Sequence, residues 1–206
     1  MHPRMTVVAG PPGSGKSALF PPASHGVACF NADDRAAQLN GGSYHQIPPA
    51  VRAQANREFE AFILDHIERE QSFAFESTLR TDITFRQAER ARSRGFEVVM
   101  DYVALESVDL NLKRIRARYD AGGHAASESV LRSIHTASLQ NLPRALRELD
   151  GVVVFDNTLQ PPKPRPLLRT ARGRITWTAS SLAPWLIDAL HGTEFDLVRH
   201  DPSATA

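Results

Sequence analysis

The chain has 206 residues, of which 42% are hydrophobic and 23% are charged, and its formal net charge is +1. These values fit one folded α/β domain with a small appendage, and the near-neutral charge argues against a nucleic-acid binder. No apolar run approaches the roughly 20 residues of a membrane span, and the single cysteine, Cys29, excludes an intramolecular disulfide. We therefore expect a cytoplasmic protein that has no membrane span and no nucleic-acid partner.

The first predicted element is a short buried strand, Met5 to Ala9, which leads directly into a glycine-rich turn. Glycines let backbone N–H groups wrap closely around a phosphate, a lysine supplies charge for the β- and γ-phosphates, and a serine hydroxyl is a ligand for Mg²⁺. We therefore predict that this turn binds ATP and Mg²⁺. It comprises Gly10, Pro11, Pro12, Gly13, Ser14, Gly15, Lys16 and Ser17.

The second predicted strand, Val27 to Phe30, ends in an acidic cluster that contains Asp33 and Asp34. Ligands of parallel sheets bind at the carboxyl ends of the strands, so this cluster should lie near the phosphate loop. A carboxylate there can accept the proton of an attacking hydroxyl. We assign this role to Asp33, expect its carboxylate to point towards Ser17, and expect Asp34 to cap a helix or to lie on the surface.

The third predicted strand, Phe73 to Phe75, is preceded by a long predicted helix that begins at Pro49. Glu76 leaves this strand beside the phosphate loop, where a carboxylate is costly unless it has a partner. A substrate hydroxyl or a hydrated Mg²⁺ would be such a partner. Glu76 is therefore a candidate substrate-binding residue, and so are Thr78 and Arg80.

The fourth predicted strand is followed by two helices, from Asp109 to Tyr119 and from Ser127 to about Leu149. The first is rich in arginine, and Gly122-Gly123 ends it. Phosphoryl transfer is accelerated by an arginine that a lid places on the γ-phosphate. Arg118 is the candidate for that catalytic role.

The C-terminal part begins with a fifth predicted strand, Val152 to Phe155, and a polar cluster that includes Asn157 as a candidate nucleotide-binding residue. The proline-rich stretch from Pro161 to Pro166 is typical of a surface connector. Arg174 to Thr178 alternates like an exposed strand, and a short helix is predicted over Ser181 to His191.

Alternating strands and helices predict the three-layer α/β fold of P-loop NTPases and kinases. In this fold a parallel five-stranded sheet has helices on both faces and a helical lid. We expect residues 1–160 to form the kinase core, with the lid at about 109–135. We expect 161–191 to be an appendage packed on the core and 192–206 to be a flexible tail.

Several segments beyond the phosphate loop resemble the zeta-toxin family of P-loop kinases, in particular its short chromosomal members. The resemblance implies an ATP-dependent kinase that phosphorylates the 3′-hydroxyl of the sugar in UDP-N-acetylglucosamine. It also implies a protein antitoxin as a partner. The segments are FNADD (Phe30 to Asp34), FEST (Phe75 to Thr78), RARYDAGGH (Arg116 to His124), SLQNLPRAL (Ser138 to Leu146) and FDNT (Phe155 to Thr158).

The resemblance also implies roles for single residues. Asp33 falls on the family's catalytic base, and Arg118 and Arg132 correspond to its two lid arginines. Lys16 and Ser17 fall on the phosphate-loop lysine and hydroxyl. Glu76, Thr78 and Arg80 fall on substrate-contacting positions.

Two departures from the family pattern leave the acceptor open. Arg132 is the only arginine of the run Arg132-Ser133-Ile134-His135, and the loop from Gly41 to Pro49 has no counterpart in the nucleotide-sugar-binding segment of the plasmid-type toxins. Two other functions are therefore kept as alternatives. The first is a polynucleotide 5′-hydroxyl kinase, and the second is a regulatory module that binds a nucleotide without catalysis.

Overall fold

The computed structural model describes residues 2–119, 127–159 and 164–197. The strands of these residues form one sheet, in the order β2-β3-β1-β4-β5-β6-β7. In chain order, the strands β1 to β7 are Arg4–Ala9, Ala28–Phe30, Phe73–Ser77, Glu97–Ala104, Gly151–Asp156, Arg165–Ala171 and Arg174–Thr178. The helices α1 to α7 are Lys16–Leu19, Ala32–Leu39, Pro49–Glu68, Ile83–Ser93, Val108–Tyr119, Glu128–Glu148 and Pro184–Leu190.

The five strands β1 to β5 are parallel, as the alternating pattern predicted. β1 lies between β3 and β4, so that Val8 is paired with Glu76 on one side and with Asp101 on the other. The loops that follow β1, β2, β3 and β5 therefore reach the same rim of the sheet. The predicted class, a P-loop kinase fold of the α/β type, is confirmed.

The sheet has two more strands than predicted, because β6 and β7 continue it as an antiparallel hairpin. β7 coincides with the strand predicted at Arg174 to Thr178. β6 was missed because we predicted that the prolines up to Pro166 form a connector. Pro166 lies inside β6 opposite Phe155, next to a break in register, and a bulge of this kind is where a strand tolerates proline.

One face of the sheet carries the main hydrophobic core. Phe73, Phe75 and Met100 are buried there under α3, α4, α6 and α7. Trp185 and Leu186 of α7 belong to the same core cluster, so the C-terminal helix packs on the sheet. This packing fixes the strands from which the rim loops extend.

The opposite face is only partly covered, because α1 has just four residues. Pro21 and Pro22 follow it, and proline cannot continue a helix. Below α1 an open groove of about 480 Å³ is lined by Thr6, His25 and Asp101, among others. None of the helices in the described ranges combines the length and the apolar character that crossing a bilayer requires.

Candidate active site

The phosphate loop follows β1, and its shape depends on glycine at two close contacts. Gly10 has a φ of +140°, and a Cβ there would lie 2.0 Å from the carbonyl oxygen of Val103. Gly15 has a φ of +93°, and a Cβ there would lie 2.5 Å from Nδ2 of Asn157. At Gly10 any other residue would meet the backbone of β4 and push the loop away from it. At Gly15 the positive φ favours glycine, and a larger residue would displace the Asn157 side chain.

Side chains from three elements hold the loop in this shape. Lys16 donates from Nζ to the carbonyl oxygens of Gly10 and Pro11, at 2.9 and 3.1 Å. Asn111 of α5 donates to the Pro12 carbonyl at 2.7 Å. Asn157, which follows β5, donates to the Ser14 carbonyl at 2.8 Å. The backbone of the loop is therefore fixed on both sides.

Two hydroxyls of the loop differ in their surroundings. Ser14 is completely buried, and its Oγ has no hydrogen-bond partner among the residues that the structure describes. Buried polar atoms are normally hydrogen-bonded, so an unpartnered one beside a glycine-rich cradle is what a phosphate-binding loop would show. Ser17, by contrast, is exposed at the mouth of the loop.

Glu76 lies at the end of β3, beside the loop, and the Ser17 hydroxyl is close enough to its carboxylate to affect its pKa. Burial raises the pKa of Glu76, while the Ser17 hydroxyl and the charge of Lys16 act in the opposite direction. Asp34 and Asp33 raise the pKa of Glu76 further by repulsion. These three carboxylates therefore belong to one electrostatic cluster at the rim.

We predicted that the carboxylate of Asp33 points towards Ser17, but the structure pairs it with a residue of α3. Asp33 is exposed over 79% of its side chain and forms an ion pair with Arg52 of α3, at 3.7 Å. Of the two positions predicted for Asp34, a helix cap or the surface, the cap is taken by Asn31, which accepts from the backbone N–H groups of Asp33 and Asp34. This cap directs the first turn of α2 and turns Asp33 towards α3.

Asp34 has a different partner, Tyr44, whose hydroxyl donates to Oδ1 of Asp34 at 2.7 Å. Tyr44 is 41% exposed and lies in the loop after α2. Nδ2 of Asn40 fixes this loop by donating to the carbonyl oxygens of Ser43 and His45, both at 2.9 Å. An ordered aromatic ring thus stands at the acidic rim, and no sequence motif indicated it.

Thr78 and Arg80 lie on either side of Leu79, which is buried and has a φ of +54°. The left-handed conformation of a leucine is uncommon and needs support from its surroundings. That support comes from Ser77, whose Oγ accepts from the Leu79 N–H, and from Asn141, which donates to the Leu79 carbonyl at 2.9 Å. The structure therefore places Thr78 and Arg80 on a fixed loop at the rim.

Arg132, one of the two predicted lid arginines, is paired away from the phosphate loop. Arg132 of α6 pairs with Asp109 at 2.6 Å and with Glu128 at 2.7 Å. Helical residues turn by about 100° each, so Asp109 lies on the opposite side of α5 from Asn111, which contacts the loop. Arg118 is in the last turn of α5, and its side chain lies outside the part of the chain that the structure describes.

Arg114 shares a face of α5 with Arg118 and was a second candidate for the γ-phosphate, but the structure gives it other partners. Its guanidinium donates to the carbonyl oxygens of Asn157 and Thr158, both at 3.0 Å. Burial lowers the pKa of Arg114, and the charge of Asp156 partly offsets this. Arg114 therefore ties α5 to the loop after β5, and nothing in the spacing of the arginines separated it from its neighbours.

Comparisons with known proteins agree with this arrangement. A model of the family described as Zeta toxin matches residues 1–160, which span β1 to β5 and all the rim loops. A Haemophilus influenzae protein described as uncharacterized is 29% identical over 133 residues, which are 64% of this chain and 92% of that protein.

Two solved structures share the fold. The first, from the PezAT chromosomal toxin-antitoxin system of Streptococcus pneumoniae, has a TM-score of 0.61 and 14% identity, with 96% of this chain and 82% of that one covered. The second, AvrRxo1-ORF1:-ORF2 with ATP, has a TM-score of 0.64 and 14% identity, with 85% and 60% covered. At such identities the likeness concerns the fold.

Proposed function

The chain belongs to the zeta toxin family and is a phosphotransferase, and we propose that it transfers the terminal phosphoryl group of ATP to a hydroxyl of a small molecule. The observation that carries this proposal is the contact between the phosphate loop and the end of β3, where the Gly10 N–H donates to the Ser77 carbonyl at 3.2 Å and Glu76 is paired with Val8. It joins the loop that would hold the donor to the acidic rim where an acceptor would lose its proton. The donor loop and the acidic rim are thus direct neighbours in the sheet.

On the donor side, the fixed loop offers its backbone N–H groups to the phosphates of ATP. Lys16 would exchange the carbonyl oxygens of Gly10 and Pro11 for the β- and γ-phosphates. The exposed hydroxyl of Ser17 suits Mg²⁺, which prefers oxygen ligands and is usually completed by phosphate oxygens and water. When bound, the ion would neutralise charge on the transferring group. The AvrRxo1 complex of the same fold was solved with ATP, which supports ATP as the donor.

On the acceptor side, Asp33 is the proposed base, and a carboxylate oxygen of Asp33 would take the acceptor proton. Its weak pair with Arg52, at 3.7 Å, leaves room for an acceptor hydroxyl to approach. Glu76 would keep Ser17 oriented and, with Thr78 and Arg80, line the acceptor side of the rim. Arg118 and Arg132 are the proposed lid arginines, and Arg132 could act only after its pairs with Asp109 and Glu128 break.

A nucleotide sugar, with UDP-N-acetylglucosamine first, is the proposed acceptor because of the family resemblance. Tyr44 at the rim gives such an acceptor an aromatic surface for a planar base. We also propose a protein antitoxin as a partner. The PezAT relative, which is described as a toxin-antitoxin system, supports this proposal.

The test is transfer of label from [γ-³²P]ATP to a panel of acceptors, with nucleotide sugars, free sugars and 5′-hydroxyl oligonucleotides in separate reactions. We expect label in a nucleotide sugar with the wild-type protein and none with Lys16→Ala. Lys113→Ala, which removes an exposed lysine of α5, is the matched control. Label in the oligonucleotides alone would establish the polynucleotide-kinase alternative, and no transfer to any acceptor would favour a regulatory module.

A further inference from the structure

The charges of the chain are divided unevenly along its length. Residues 161–187 contain five basic residues and no acidic one, although the net charge of the whole chain is only +1. The remainder of the chain therefore has a net charge of −4. This basic stretch lies beyond the residues that match the family. The five residues are Lys163, Arg165, Arg169, Arg172 and Arg174.

Four of these residues, the arginines, lie on the β6–β7 hairpin. The hairpin turns at Arg172 and Gly173, with φ values of +48° and +71°. Two-residue turns of this kind favour asparagine and glycine, so an arginine at the first position is unusual. Arg172 and Arg174 are both exposed, and neither forms an ion pair with any residue that the structure describes.

An aromatic ring accompanies these charges. Trp177 of β7 is 43% exposed, and the guanidinium of Arg169 lies over its ring at 5.6 Å from the centroid. Arg169 and Trp177 are opposite each other in the antiparallel pairing. The hairpin thus presents an exposed apolar ring together with arginines that can pair with carboxylates.

The outer side of β7 is an open edge of the sheet. β7 is the last strand in the order, and within the described ranges no other strand pairs with that side. The N–H and C=O groups directed outwards from an edge strand can pair with another extended chain. β7 is also separated from the phosphate-loop strand β1 by three strands, so this edge is distinct from the kinase site.

We propose that the outer edge of β7 docks an acidic, extended segment of a partner protein, which would add to the sheet as a further strand. Main-chain hydrogen bonds to β7 would align the segment. Carboxylates would pair with Arg172 and Arg174, and an apolar side chain would pack on Trp177. This inference goes beyond phosphoryl transfer and does not depend on it.

The charge of the β7 edge favours an acidic protein segment over a second copy of the chain or a nucleic acid. A second copy of the chain would add two more arginines to the joined edge, and β7 contains no carboxylate that could neutralise them. A nucleic acid needs a longer basic surface, because its affinity comes from several phosphate contacts. Here Arg172 and Arg174 lie within three residues of each other at one turn, which is too short for such a surface.

The experiment measures fluorescence anisotropy of labelled peptides with the full-length protein. The probe is an extended peptide of alternating glutamate and valine, about eight residues long, which is enough for one strand. Its controls are a lysine–valine peptide, an acidic peptide with N-methylated amides, and a single-stranded RNA. The double variant Arg172→Glu/Arg174→Glu reverses the charge of the edge, and Arg90→Glu/Arg94→Glu makes the same charge change at the end of α4.

We expect the acidic peptide to bind, and to bind about tenfold more weakly or worse to the hairpin variant but not to the α4 variant. Binding should weaken with salt, because the pairs are exposed, and should slow amide exchange in residues 174–178. Three results would overturn the proposal: no binding of the acidic peptide, equal binding of the N-methylated peptide, or preferential binding of RNA. The first would mean that the arginines only protect the edge from aggregation.

Discussion

The phosphate loop and the lid are neighbours, yet they differ in whether their functional side chains are in place. The loop is fixed in a shape suited to phosphate, whereas the lid arginine Arg132 is paired elsewhere. The loop is held by Lys16, Asn111 and Asn157, through hydrogen bonds of 2.7 to 3.1 Å. Arg132 of the lid is engaged with Asp109 and Glu128 instead. Donor binding therefore needs only local changes of side chains, whereas a catalytic role for Arg132 needs a rearrangement of α5 and α6.

This difference predicts which substitutions should change the affinity for the donor and which should change only the rate of phosphoryl transfer. Changes in the loop should abolish binding of the donor. Changes at the acidic rim should spare the donor and impair transfer. Changes at the paired lid arginine should have little effect, unless the lid rotates when the donor binds.

The largest effect is expected for Lys16→Ala. Lys16 is the charge that would meet the β- and γ-phosphates, and we expect the transfer rate to fall by about 10³-fold or more. The measurement is the initial rate of label transfer, with circular dichroism to show that the fold is kept. Transfer at the wild-type rate by the folded variant would remove the loop from the reaction.

The next largest effect is expected for Asp33→Asn, because an amide cannot accept the acceptor proton. We expect a loss of about 10²-fold in transfer rate, with unchanged affinity for ATP. Asp34→Asn keeps an oxygen that can accept from Tyr44, so its loss should stay below about tenfold. If Asp34→Asn instead shows the larger loss of transfer rate and Asp33→Asn the smaller, the base is Asp34.

A smaller effect is expected for Arg132→Ala. Its guanidinium is paired on the side of α5 that faces away from the loop, so we expect the rate to fall by no more than about tenfold. Arg116→Ala, which also removes a partner of Glu128, is the matched control. A loss of about 10³-fold or more, the scale of an arginine on the γ-phosphate, would show that the lid rearranges.

The smallest effect concerns stability. Burial raises the pKa of Glu76, so the folded state holds this proton more tightly than the unfolded state. Below the ordinary glutamate pKa of 4.5, Glu76 is protonated and contributes its full stabilisation to the fold. That contribution is lost as the pH rises above 4.5 and passes the raised pKa of Glu76 in the folded state. Glu76→Gln should therefore melt slightly above the wild type at pH 7, with the difference vanishing towards pH 4.

Asp101 provides the control for that measurement. Burial also raises the pKa of Asp101, which lies on the same face of the sheet but in the open groove. Asp101→Asn should shift stability in the same direction and leave phosphoryl transfer unchanged. The quantity to compare is the melting temperature of each variant minus that of the wild type. If this difference is larger at pH 4 than at pH 7 in both variants, the assigned direction of the pKa shifts is contradicted.

The sequence predicted the parts of the molecule that local patterns determine. The phosphate loop and the five parallel strands follow from glycine spacing and from apolar runs, and both are as predicted. The helix that begins after Ser127 continues past Pro143, also as predicted. In these segments, the residues that form the sequence pattern are the same as, or close in sequence to, the residues that form the element.

The rest depends on contacts between distant segments. The direction of Asp33 is set by the Asn31 cap and by Arg52, and the pairing of Arg132 joins it to Asp109 across two helices. The motif SLQNLPRAL gained its explanation only from the structure, where Asn141 holds the carbonyl of Leu79. No periodicity in the sequence encodes these partners.

The measurement that tests the central claim most directly is calorimetric titration with a nonhydrolysable ATP analogue and Mg²⁺. We predict that wild type, Asp33→Asn and Arg132→Ala bind the analogue with equal affinity, while Lys16→Ala binds at least about tenfold more weakly. That pattern would show a donor site assembled before the lid acts. Equal binding by Lys16→Ala, or loss of binding in Arg132→Ala, would contradict the account.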